Sequence, residues 1–437
     1  MESEIEHLPS DLLDTDAFKI QLDRIKQASE MAQQKLDYYS AHDDQVLLSI
    51  SIVEKFLKKK HRICYGGQAI NAYLPAKYKF YHPETSIPDY DFFTPSHEAD
   101  IEEITTALIK SGFEEISVRE GMHEGTLKIY VNFIPVADLT VIDPKLYRLL
   151  SKRASRIDEI TYLDANSLRM LMYLELSRPR GEVGRWQKVF ERLMLFNEFV
   201  SVKDCIPDSV LLKNKLTLEQ VQFTIDYIIK EKRLFAGADL LSFYETSMLK
   251  KSRSTQWIVS HKKPILFLSS NARDDAKYIL SEFQANQDNK IKIKFYSYNG
   301  LDYLPGVYVL HESNQPLVII IQQAACHSYY TLPVKKKQSL RIATLDTLIT
   351  LYFSLGFINT SFFSMDSMEC LANHFVQLSI KGRKMNGQFV FPFISINCSG
   401  HQTTLPSLIR AKVKRVTEKK KRIKNMIKRK TLSKRRL

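Results

Sequence analysis

The chain has 437 residues, too many for one simple core, and its 44% apolar content excludes wholesale disorder. It carries 63 Lys and Arg against 49 Asp and Glu, a formal net charge of +14. Residues 410–437 hold 15 of those cations and one acid, Glu418, which leaves 48 of each sign and a formally neutral body. A local basic tail of this kind implies an acidic polymer or surface as partner.

In chain order, the opening MESEIEHLPSDLL lacks the apolar core of a signal peptide, and no apolar run reaches the roughly 18 residues a membrane span needs. A soluble, intracellular protein is expected. Asp14-Thr15-Asp16 reads as the cap of a helix over 16–40, because short acidic and hydroxyl side chains accept the free N–H groups of a first turn. A second helix over about 43–59 follows from Val46, Leu47, Ile50, Val53, Phe56 and Leu57. The period then changes. Ile63-Cys64-Tyr65 reads as a strand ended by Gly66-Gly67, with a helix start over Gln68–Tyr73. Further strands are predicted over 87–93 and, as a pair, within 125–142, with a helix over 100–111 between them. Residues 164–200 are helical in pattern, with Leu168, Leu171, Leu174, Val189, Leu193 and Phe196 as core positions.

A second α/β region spans about 255–400. Its predicted strands are 265–268, 291–296, 307–310 and 318–321, and its helices 273–284, 340–355 and 366–380. The fold class is therefore α+β, mixed α/β. The expected division is a helical region (1–60), a compact mixed sheet with helices (61–150), a second helical region (151–250), a C-terminal α/β domain (255–405) and a basic tail (406–437). Cys64, Cys205, Cys326, Cys370 and Cys398 are odd in number and far apart, without a CxxC, so buried thiols are expected rather than disulfides or zinc.

The chemical signal is a constellation. Gly66-Gly67 between a strand and a helix lets backbone approach phosphates at a helix N-terminus. Asp89 and Asp91, two apart on a strand, face the same side, and two hard oxygen ligands so placed suit Mg²⁺. Asp138 lies in another apolar strand, FIPVADLT, which could stand beside the first. Three carboxylates can hold two ions flanking an in-line attack on phosphorus. Each part alone is weak, since a bare DxD or Gly-Gly is common, but the ordered set is specific.

This constellation resembles the nucleotidyltransferase superfamily that shares the DNA polymerase β palm. More narrowly, CYGGQAINAYLP (64–75), IPDYDFF (87–93), VNFIPVADLT (131–140) and LRMLMYLELSRPRGEVGRWQKVFERL (168–193) resemble the poly(A) polymerase catalytic subunits of large cytoplasmic DNA viruses of the poxvirus, asfarvirus and mimivirus types. FLSSNARDDAKY (267–278) and LRIATLDTLITLYF (340–353) are weaker echoes. Two departures stand out. The interval 68–88 is longer than in the superfamily, which implies an inserted loop near Ala76–Thr85, and Gln68 stands where the superfamily often has Ser.

The resemblance implies template-independent addition of a poly(A) tail to mRNA 3′ ends. Asp89 and Asp91 would hold two Mg²⁺ or Mn²⁺ ions, and Asp138 would complete the site and help activate the primer 3′-OH. ATP would lie against Gly66, Gly67 and Gln68, with Arg185 and Lys188 as phosphate contacts and Tyr173 as a base-stacking residue. A homodimer, a heterodimer with a processivity subunit, and a place in the virion and the cytoplasmic viral factory are also implied. The C-terminal α/β region would be a catalytically dead copy of the palm. Its Tyr296, Tyr298, Tyr303, Tyr329 and Tyr330, with Lys292 and Lys294, read either as an RNA-stacking surface or as sheet packing. In the tail, Lys419, Lys420, Lys421, Arg422, Lys428, Arg429 and Lys430 are RNA-binding candidates, with an import signal and a solvated tail as alternatives. CCA addition, oligoadenylate synthesis, a metal-dependent glycosyltransferase and a non-catalytic RNA-binding protein are the rival functions.

Overall fold

The computed structural model describes residues 15–82, 86–88, 90–206, 215–249, 263–285, 292–335, 338–358, 362–384 and 395–434. Helix α1 (Asp16–Ala41) starts where Thr15 Oγ1 accepts the Phe18 N–H at 3.3 Å, and it is exposed along nearly all its length. Asp14 of the expected cap lies outside the described residues. Helix α2 (Asp44–Lys60) is capped by Asp43, which accepts from Gln45 and Val46. It buries Val46, Ile50, Val53, Phe56 and Leu57, whereas Leu47 is exposed.

The chain then builds a first sheet. Its elements are β1 (Ile63–Tyr65), α3 (Gly66–Tyr73), β2 (Tyr90–Thr94), α4 (His97–Lys110), β3 (Ile116–Glu120), β4 (Thr126–Val131), β5 (Ile134–Val141), α5 (Pro144–Ser151), β6 (Ser155–Ile157) and β7 (Ile160–Tyr162). Helices α6 (Ala165–Leu176) and α7 (Trp186–Phe199) close this half. The second half runs α8 (Leu218–Lys230), β8 (Leu234–Phe235), α9 (Leu240–Leu249), β9 (Ile265–Ser269), α10 (Ala272–Ala285), β10 (Lys294–Tyr298), β11 (Val307–Glu312), β12 (Gln315–Gln322), β13 (His327–Lys335) and β14 (Gln338–Ala343). It ends with α11 (Leu345–Phe357), α12 (Met365–Lys384), β15 (Cys398–Ser399) and α13 (Leu405–Lys434).

The strand orders are β3-β4-β5-β2-β1-β7-β6 in the first sheet and β10-β11-β12-β9-β8-β14-β13-β15 in the second. Strand for strand the first seven of the second sheet repeat the first, and β15 adds an eighth at the edge. β2 and β5 are parallel, as are β9 and β12; β1 is parallel to β7, as β8 is to β14; the flanking pairs are antiparallel in both. Each sheet is followed by two helices, and α6 packs on α11. The second sheet is thus a topological copy of the first. The resemblance implied such a copy, and one ion pair is kept in both halves: Arg62 with Asp100, and Arg233 with Asp275, each join the residue before the first strand to the helix after the second.

Several differences from the sequence reading have simple causes. The strand expected over 87–93 starts at Tyr90, and Asp89 lies outside the described residues. β3, β6 and β7 are short and carry polar residues, so they lack an apolar run. Residues 340–355 divide into strand β14 and helix α11, with Thr344 capping the helix. The helical region expected over 151–250 is shared out: β6 and β7 join the first sheet and β8 the second. Disulfides Cys205–Cys370 and Cys326–Cys398 replace the expected thiols, and Cys64 alone is a buried free thiol. Their separations, 165 and 72 residues, are closed only by the fold. Among the described residues no helix is long and apolar enough to cross a membrane.

The end of β2 is fixed by a buried carboxylate. Asp100, 1% exposed, receives Arg62 Nε and Nη2 at 2.8 Å each and the Thr94 hydroxyl at 2.5 Å. Removing one partner of such a pair leaves the other charge buried. Asp100→Ala is therefore expected to cost about 3–5 kcal/mol in urea unfolding. A loss below about 1 kcal/mol would show that this anchor does not hold the strand.

Candidate active site

Asp91 and Asp138 are cross-strand partners on the parallel strands β2 and β5. Side chains at register positions of paired strands share a face, so the two carboxylates stand side by side. Asp138 is buried, and Lys128, its partner across β4, makes an ion pair with its Oδ2. Two residues further along, on the same face, Phe93 stacks on Tyr65 at 4.0 Å and Thr140 bonds the Tyr65 hydroxyl at 2.8 Å. Burial first, and then the Asp91 charge, hold the Tyr65 phenol well above its ordinary pKa. Tyr303, from the loop between β10 and β11, lies 5.9 Å from Phe93 and is pushed up to about 12 by burial, Asp302 and Asp91, with Arg178 opposing. The second half of the chain thus closes over the carboxylate face of the first.

The glycine turn is shaped around this face. Gly66 has φ +72°, a region that costs an L-residue about 1–2 kcal/mol, and a Cβ there would collide with Asp91 Oδ2. A Cβ on Gly67 would lie 2.6 Å from Arg192 Nη1 and 2.8 Å from the Tyr81 hydroxyl. Arg192 is held over Phe80 (4.5 Å) and Tyr81 (5.3 Å), and its Nη2 donates to Tyr81 Oη at 2.8 Å. The inserted segment is itself tied to α3. Asn71 Oδ1 accepts from Phe80 and Tyr81 N–H at 2.8 and 3.0 Å, and Asn71 Nδ2 donates to Tyr81 O at 3.1 Å. The insertion therefore holds the Arg192 guanidinium of α7 against the turn. Sequence reasoning missed both Arg192 and Tyr81, although Arg192 lies one helical turn beyond Lys188 and on the same face.

The other expected residues divide. Gly66 and Gly67 form the turn, and Gln68 follows, its Oε1 buried without a hydrogen-bond partner among the described residues. Lys188 is exposed on α7. Arg185 is instead paired with Glu175 at 3.2 Å and Glu182 at 3.4 Å, so its charge is already engaged. Tyr173 cannot stack on a base. It is 0% exposed, and its hydroxyl bonds Ser379 and Asn197 in the core. In the tail, Lys419 is 3.6 Å from Glu120 and Arg415 donates to Met122 O, while Lys420, Lys421 and Arg422 are exposed. The side chains of Lys428, Arg429 and Lys430 lie outside the described residues.

The copy lacks this chemistry. β8 and β9 pair Phe235 with Phe267 where β1 and β2 pair Cys64 with Phe92, so Asp91, which faces Asp138, corresponds to Leu266, which faces Ile319.

The family model described as poly(A) polymerase catalytic subunit matches residues 51–182, the span that holds the glycine turn, β2 and β5. The resemblance to these viral subunits is borne out. A putative poly(A) polymerase catalytic subunit of African swine fever virus is 24% identical over 206 residues, 46% of this chain and 42% of that protein. One of Acanthamoeba polyphaga mimivirus is 23% identical over 300 residues, 62% of this chain and 50% of that protein. The chain thus spans about half the length of the curated relatives it matches. The crystal structure of the Megavirus polyadenylate synthase shares the fold, with a TM-score of 0.70, 16% identity, and coverage of 92% of this chain and 83% of that one.

The turn geometry is testable without ligand. Gly66→Ala is expected to lower unfolding free energy by more than about 2 kcal/mol, against about 1 kcal/mol for Gly112→Ala, which has a similar φ but open space around it. Equal losses in thermal unfolding would mean that no carboxylate presses on the turn.

Proposed function

We propose that this chain is a template-independent polynucleotide adenylyltransferase that extends mRNA 3′ ends with ATP. The observation that carries this reading is the register pairing of Asp91 with Asp138 beside the Gly66-Gly67 turn. The donor set fits Mg²⁺ or Mn²⁺, for it offers hard carboxylate oxygens on one face, with Asp89 as third ligand by resemblance. Two ions bound there would neutralise charge at phosphorus and on the leaving group. The chain's own residues then have defined tasks. The turn and the N-terminus of α3 receive the triphosphate, and Arg192 and Lys188 add positive charge from α7. Asp138 accepts a hydrogen bond from the primer 3′-OH and raises its nucleophilicity. The 3′ oxygen attacks the α-phosphorus, the bond to the bridging oxygen breaks, and pyrophosphate leaves.

Tyr65 and Tyr303 border the carboxylates with protonated phenols, which keep water from the reacting face. The basic tail gains affinity for RNA by releasing counterions, and its anchorage on Glu120 places it next to the catalytic sheet. The name catalytic subunit in the relatives agrees with a second subunit; a homodimer or a heterodimer with a processivity subunit, and a place in the virion and viral factory, belong to this proposal. The runner-up, a CCA-adding or oligoadenylate-type transferase, uses the same carboxylates and differs in base choice.

Four measurements test this reading. A short RNA primer incubated with each NTP and Mn²⁺ should give a ladder with ATP alone; equal use of CTP would favour the runner-up. Asp91→Ala, and Asp89→Ala with Asp91→Ala, should lower extension by about 10³-fold or more while thermal unfolding still shows a folded protein, and normal extension would remove the site assignment. Arg192→Gln should cost about 10- to 100-fold in kcat/KM for ATP. Deleting 410–437 should weaken RNA binding and flatten its salt dependence without changing KM for ATP.

A further inference from the structure

A cavity of about 320 Å³ lies between helix α5 and the second half of the chain, outside the carboxylate site. Its size is that of the smaller ligand pockets, and such pockets favour the seams between domains. Lys145, Arg148 and Lys152 line one side, Tyr298 borders it, and Leu304 and Phe357 form the buried floor. The three cations recur at i, i+3 and i+7, so α5 turns a single basic face towards it. All three are exposed, and none makes an ion pair with another described residue.

Such a stripe is unfavourable by itself, since like charges a turn apart repel and nothing acidic lines the cavity. The two nearest carboxylates are spent on backbone. Asp143 Oδ1 caps α5 by accepting the Lys145 N–H at 2.7 Å, and Asp302 Oδ2 accepts the Asp143 N–H at 2.8 Å. A ring edged by mobile-length cations over an apolar floor is the combination that takes a base on the ring and its phosphates on the cations.

The place of the cavity says which phosphates these are. Helix α5 begins three residues after β5, the strand of Asp138. The loop carrying Leu304 also carries Tyr303, which packs on Phe93 of the catalytic face. One side of that loop thus touches the proposed reaction centre and the other walls the cavity. Resting on the RNA-extending reading above, we infer that this cavity is a subsite for single-stranded RNA behind the primer 3′ end, one base stacking on Tyr298 and its flanking phosphates pairing with Lys145, Arg148 and Lys152.

The test uses the full chain and fluorescence anisotropy of a labelled oligo(A) strand, with extension by ATP followed in parallel. Lys145→Ala with Arg148→Ala and Lys152→Ala should weaken RNA binding about 10- to 100-fold and lower the salt slope by about 2. Tyr298→Ala should weaken it about 10-fold and Tyr298→Phe should restore it, because stacking needs the ring and not the hydroxyl. KM for ATP should not move in any of these. Unchanged RNA affinity in both variants, with folding intact, overturns the subsite. So does competition by AMP or ATP at the same affinity as the oligomer, which would make the cavity a free-nucleotide site. A wild-type chain that binds oligo(A) but does not extend it would sink the catalytic reading, and the anisotropy series would still decide the cavity.

Discussion

Two like charges side by side on neighbouring strands are the constraint around which the molecule is organised. Asp91 and Asp138 occupy partner positions on strands about 5 Å apart, which at a surface-like dielectric costs roughly 3 kcal/mol of repulsion. Parallel pairing of β2 with β5 enforces that proximity. The surroundings offset it in kind: Lys128 places an ammonium on Asp138, and Gly66 omits the one carbon that would press on Asp91. The neighbouring phenols add no further charge. The rest of the first half, including the Arg62–Asp100 anchor at the end of β2, keeps those two strands in register.

The second half answers what the same topology looks like without that demand. Leu266 and Ile319 take the positions of the two carboxylates, and the sheet becomes an apolar slab with buried strands β9 and β12. No second glycine pair accompanies it in the sequence. Comparison within one chain therefore isolates the chemistry from the architecture: strand order is common to both halves, and the carboxylates, the tight turn and Arg192 occur together in one.

What was legible follows the same division. The glycine turn and the acids were visible because each is a local pattern with a chemical cost, and strands rich in apolar residues, such as β5, β9 and β12, were visible by run length. Tyr173 was misjudged because an aromatic residue on an amphipathic helix gives no sign of which neighbours will cover it, and here Ser379 and Asn197 do. The ion pairs of Arg185 with Glu175 and Glu182 were hidden because they form only through the turn before α7. Tyr81 and Arg192 are 111 residues apart and meet across α3. The cysteine pairs hid behind similar distances. Long-range encounters of this kind have no signature in spacing.

The corresponding hairpin loops of the two halves have come to opposite uses. The loop after β3 leads to Met122, where Arg415 of the tail is anchored, whereas the loop after β10 brings Tyr303 across to Phe93. The half without the carboxylate pair thereby roofs the half that carries it. The span matched by the family model, cut out alone, would lose Tyr303 from the Tyr65–Phe93 stack, so the carboxylate face is complete only with both halves together.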